Sequence, residues 1–104
     1  MKETLHGFFK MSQKPFIKSY TYKDGAQYSG QWLGGFRHGQ GTMKWTDGAV
    51  YEGEWQYGFA QGQGKFHHVD GDIYEGDWAN NKANGHGVYI NAKGARYEGQ
   101  WKDD

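Results

Sequence analysis

Few side chains in this sequence could do chemistry, and most of them recur at a fixed interval. Glu52, Glu54, Glu75, Asp77 and Glu98 are the clearest set of carboxylates, the donor type that holds hard cations. Their spacing places them on one side of adjacent strands, where they read as a solvated face that keeps the protein soluble. Ser29 stands where Glu52, Glu75 and Glu98 stand in the other copies of the pattern, so it is an exposed hydroxyl and not a nucleophile. There is no Cys, which removes thiol nucleophiles, thiolate metal sites and disulfides. His67 and His68 are consecutive, and on a strand they point to opposite faces, so they cannot share one ion. The segment GGFRHGQG at 34–41 looks suited to phosphate, but it is in phase with loops elsewhere, and no GxGxxG lies between a strand and a helix. No catalytic, cofactor or metal site is expected, and the chain reads as a non-enzyme.

The interval behind these patterns is 23 residues. DGAQYSGQWLGGFRHGQGTMKWT (24–46), DGAVYEGEWQYGFAQGQGKFHHV (47–69) and DGDIYEGDWANNKANGHGVYINA (70–92) follow without insertion, and KGARYEGQWKDD (93–104) starts a fourth copy. A period of this size marks an array of stacked units. Before it, FIKSYTYK (16–23) keeps Tyr20 and Tyr22 in the phase of Met43 and Trp45 but puts Phe16 and Lys18 where the paired glycines belong. That is the pattern of a capping half-repeat. Residues 1–15 lie outside the period and read as a tail, flexible or left over from expression.

Within each unit the alternation is two, not 3.6. Ala49, Tyr51, Gly53 and Trp55 share one face of a strand, while Glu52, Glu54 and Gln56 take the other. A second run, from Gly62 through Gly64 and Phe66 to His68, does the same after a loop, QYGFAQ, of six residues. His68 is expected to pack on the aromatic face. Asp-Gly at 24–25, 47–48 and 70–71 supplies the tight turn into each new unit, with Lys93-Gly94 as a variant. So many glycines exclude helices, at about 1 kcal/mol each. The fold class is therefore all-β: a meander of antiparallel strands in consecutive hairpins. Glycines beside the aromatics leave floor space for neighbouring rings.

Mean hydropathy is −1.04 and only 36% of residues are hydrophobic, which alone points toward disorder. The 18% aromatic content opposes this, because each ring buries about 150–250 Å². The net charge of zero hides an asymmetry: residues 1–23 carry 5 − 1 = +4, and residues 24–104 carry 7 − 11 = −4. An acidic array does not attract nucleic acid. LHGFF is too short for a signal-peptide core, and no run is as long as a membrane span.

The motif DGxxYxGxWxxGxxxGxG, repeated over residues 24–104, resembles the membrane occupation and recognition nexus (MORN) repeat. Departures are modest: the His before the paired glycines is His38 but then Gln61 and Asn84, and Asn81 replaces a loop glycine. The resemblance implies an elongated, twisted and curved single-layer antiparallel sheet, with one hairpin per repeat and no closed globular core. It implies roles in cytoskeletal, ciliary or membrane-apposed assemblies of the cytoplasm, or as a regulatory module attached to an enzyme.

With no second layer to cover them, the aromatics form the expected partner-binding groove for a peptide or helix. Tyr28, Tyr51, Tyr74 and Tyr97 make one row, and Trp32, Trp55, Trp78 and Trp101 another; Met43, Phe66 and Tyr89 make a third, and Trp45 adjoins it. A weaker membrane contact is expected through Phe8, Phe9, Lys10 and Lys14 of the basic leader. The last strand ends at Trp101 without its GxG partner, so its edge is expected to pair with another chain or with a continuation.

Overall fold

A computed structural model describes residues 15–103. Eight strands run in chain order: β1 Phe16–Thr21, β2 Gln27–Leu33, β3 Phe36–Lys44, β4 Val50–Gln56, β5 Phe59–His67, β6 Ile73–Ala79, β7 Lys82–Ile90 and β8 Arg96–Trp101. They form one open antiparallel sheet in the order β1 to β8, each strand beside its sequence neighbours. The result is long and thin, 56 × 28 × 18 Å. Its radius of gyration is 16.0 Å, against about 13 Å for a globule of this length. The segments holding Phe8, Phe9, Lys10 and Lys14, and the tail as a whole up to residue 14, lie outside the described residues.

Two kinds of turn alternate, and they are not distributed as the sequence suggested. The six-residue loop expected at 56–61 is a two-residue turn. Gln56 pairs with Phe59, leaving only Tyr57 and Gly58, at φ 48° and 91°. Gly34-Gly35 and Asn80-Asn81 do the same, and positive φ at both positions is the backbone that matches strand twist. Asn tolerates this region, which explains why Asn81 can replace a glycine. The Asp-Gly turns are the wider ones. Gly48 N–H donates to Trp45 O at 3.0 Å, and Trp45 N–H donates to Ala49 O at 2.9 Å, so three residues intervene. Asp47 fixes the turn by accepting from Ala49 N–H at 3.0 Å, and only Gly48 takes positive φ. Asp24 and Asp70 repeat this, and Asn91 does so ahead of Gly94.

Each two-residue connection, β2–β3, β4–β5 and β6–β7, brings a bulge with it. Gly53 faces Gly64, yet Trp55 faces Ala60, so β5 spends three residues where β4 spends Glu54 alone. Glu54 folds over the surplus and accepts from Gln63 N–H at 3.1 Å. Gln31 and Asp77 serve Gln40 N–H and His86 N–H in the same way, at 2.6 and 3.0 Å. Two members of the carboxylate set, Glu54 and Asp77, therefore satisfy backbone. On the same face Lys65 stands in register between Glu52 and Glu75. Among the described residues no three His, Asp or Glu side chains converge as metal ligands would.

Candidate interaction groove

The rows of aromatics condense when the strands pair. Tyr20, Tyr28, Met43, Tyr51, Phe66, Tyr74, Tyr89 and Tyr97 are successive cross-strand partners, so two of the expected rows are one line across the sheet. Tyr28, Tyr51 and Tyr74 each lie over a glycine of the next strand, Gly41, Gly64 and Gly87. A Cβ on Gly64 would sit 2.5 Å from Tyr51 Cε1, and one on Gly53 would meet Gly64 Cα at 2.5 Å. Glycine is required at both places because rings and backbone occupy the space a side chain would take.

The tyrosine hydroxyl then reaches back along its own strand. Tyr28, Tyr51 and Tyr74 donate to the carbonyls of Gln31, Glu54 and Asp77 at 2.8, 2.9 and 3.0 Å. Tryptophans clamp them from both sides: Tyr51 meets Trp55 and Trp78 edge-on, with centroids 5.0 and 5.1 Å apart. Trp32, Trp55, Trp78 and Trp101 each donate the indole N–H one strand back, Trp55 to Gly41 O at 3.1 Å and Trp78 to Gly64 O at 3.0 Å. The polar atoms of the rings are thereby satisfied as the rings are buried. Burial raises the Tyr28 phenol to about 12 and pushes Tyr51 and Tyr74 up as well. Tyr89 is raised to about 12 first by its bond to Asp72, whose carboxyl is held low by the same contact.

This packing divides the expected groove residues. Tyr28, Tyr51, Tyr74, Met43 and Trp55 are buried. They are the floor, and a partner cannot touch Tyr28 or Tyr51, exposed by 0% and 1%. Trp32, Phe66, Trp78, Tyr89 and Trp101 are half-buried, while Trp45 and Tyr97 are exposed. Above the floor lies an open cavity of 740 Å³, walled by Tyr22, Arg37, Trp45, Phe66 and Trp78. A second, of 490 Å³, opens beside Phe16, Tyr20, Trp32 and Arg37. A third, of 320 Å³, lies between Phe66, His68, Tyr89 and Trp101. His68 is on the aromatic face, 4.5 Å from the Phe66 ring centroid.

Sequence reasoning passed over Arg37. It occupies the phase of Ala60 and Ala83, small residues buried under the tryptophans. Its guanidinium lies over Trp55 at 4.9 Å and Tyr22 at 5.7 Å, donating to Tyr22 OH at 2.8 Å and Gly58 O at 2.6 Å. The break in phase was the available signal. A second omission was the role of the residue at His38. His38 Nδ1 accepts from Tyr57 N–H at 3.3 Å, and Gln61 accepts from Asn80 N–H at 3.0 Å, so this side chain holds the next unit's two-residue turn. His and Gln interchange there because both offer an acceptor.

The sequence model of the MORN repeat matches residues 28–50, 51–73, 74–96 and 97–104, with the same period and its start at the tyrosine. A comparison with curated proteins gave no match.

Proposed function

The chain belongs to the MORN repeat family, whose repeats are protein and membrane interaction modules, and from that membership we propose a non-enzymatic scaffold for a partner protein. In this reading a peptide or helix lies along the aromatic face, within a cytoskeletal or ciliary assembly of the cytoplasm. The observation that carries it is the division of that face. The buried tyrosine floor is rigid and fully bonded, while Trp45, Phe66 and Trp78 line 740 Å³ of open space above it. Exposed aromatics on a rigid base are the usual anchors of protein interfaces.

Trp45 is the cleanest probe, because it is exposed and the floor does not depend on it. Trp55 is a poor one, since it is buried and donates to Gly41 O. In a pull-down from the source cell, Trp45→Ala and Phe66→Ala should each lower partner recovery roughly tenfold, with the sheet signal in circular dichroism retained. Undiminished recovery with both variants would remove the groove from consideration. The membrane reading is separated by liposome flotation with and without residues 1–15. Flotation that depends on them assigns the contact to the basic leader.

A further inference from the structure

We propose that the groove takes a peptide segment in which one carboxylate is flanked on both sides by apolar side chains, with Arg37 receiving the carboxylate. This rests on the reading of the aromatic face as a peptide site. Arg37 lines both the 740 Å³ and the 490 Å³ cavity and stands between them. On one side are Trp45, Phe66 and Trp78; on the other are Phe16, Tyr20 and Trp32. A segment spanning both cavities must pass the guanidinium.

The guanidinium is held but not neutralised. Its two bonds go to neutral acceptors, Tyr22 OH and Gly58 O. Among the described residues no carboxylate lies within ion-pair distance of it. Asp24 borders the first cavity, but its Oδ1 accepts from Ala26 N–H at 2.9 Å. Nε is buried without a partner, and each terminal nitrogen keeps one further N–H. The two existing bonds and the Trp55 ring fix the plane of the fork, so little entropy is lost when a carboxylate docks on it. Lys23 borders one cavity and Lys18 the other, which extends the positive field along the trench. A charge set among aromatic rings favours an anion that brings its own apolar cover. An anionic membrane is the poorer fit, because residues 24–104 carry 7 − 11 = −4 and would be repelled as a whole.

The test begins with a random peptide library displayed on phage and selected on the immobilised full chain. Enriched peptides should carry Asp or Glu between apolar residues. By fluorescence anisotropy, changing that acid to its amide in a selected peptide should weaken binding roughly tenfold. Arg37→Ala, which installs the residue found at Ala60 and Ala83, should produce the same loss. Applied together, the two changes should cost little more than either alone, and Arg37→Lys should lose less than Arg37→Ala. The peptide-side change uses the unaltered protein, so it stands even if a variant fails to fold. Selected peptides without an acid, still released by Trp45→Ala, would overturn the role of Arg37 and leave the groove standing. Peptides indifferent to Trp45→Ala would overturn both readings. Binding to phosphatidylserine vesicles that Arg37→Ala abolishes would assign the anion to a membrane and overturn the peptide.

Discussion

Tyr51 and Tyr97 stand in almost the same words of sequence, YEGEW and YEGQW, yet one is 1% exposed and the other 58%. The difference is the following strand. Tyr51 lies over Gly64 and is clamped by Trp55 and Trp78, whereas among the described residues β8 is paired on one side, with β7. Gly53 and Gly99 diverge in the same way. A Cβ on Gly53 would meet backbone of the next strand at 2.5 Å, and one on Gly99 would meet nothing within 4 Å. A unit of this array therefore does not own its core. It holds half of one and completes it with the unit that follows, which is why stability in such arrays is shared between neighbours.

If the clamped tyrosines are the true core, alkali should dissolve the sheet. Burial raises the Tyr28 phenol from 10.0 to about 12, so the fold favours the neutral ring. Its contribution is complete below pH 10 and is lost as pH rises through about 12. The sheet signal should fall cooperatively across that window, together with the rise of tyrosinate absorbance. Absorbance that rises over an intact sheet would mean the rings ionise without supporting the fold.

Next in size, Tyr51→Ala should cost about 3–5 kcal/mol in a urea melt, and Tyr97→Ala less than about 1 kcal/mol. Equal losses would place the core within the unit and not between units. Gly53→Val should cost about 1–3 kcal/mol by driving a side chain into Gly64 and Gln63, while Gly99→Val stays within about 0.5 kcal/mol of the parent. The finest contrast is the hydroxyl alone. Tyr51→Phe leaves the Glu54 carbonyl without its donor, a loss of about 1 kcal/mol, and Tyr97→Phe should be silent.

Much of this was legible beforehand because a period of two and a period of 23 are both written in residue types. Strand number, order and facing followed from Tyr, Gly and Trp alone. Turn chemistry was less legible. Tyr57 adopts φ 48° beside Gly58, and nothing in QYGFAQ announces a two-residue turn when the partners are Gln56 and Phe59. The pairing register forces it, since the bulge at Glu54 shifts Trp55 by two residues and shortens the connection. The groove was legible as a list of aromatics but not as a surface, because the list does not say which rings cover which. Arg37 was visible only as an exception to the Ala60 and Ala83 phase.

The sequence by itself determined the repeat, the strand faces and the need for glycine beside every ring, because alternation and period are local and identical in each copy. Only the tertiary structure decided that Tyr28, Tyr51 and Tyr74 are floor while Trp45 remains surface. It alone showed Glu54 mending a bulge and Arg37 dividing the trench. Each of these depends on what a neighbouring strand places opposite a residue, a contact that lies 9 residues away along the chain for Glu54 and Gln63 and 21 for Arg37 and Gly58.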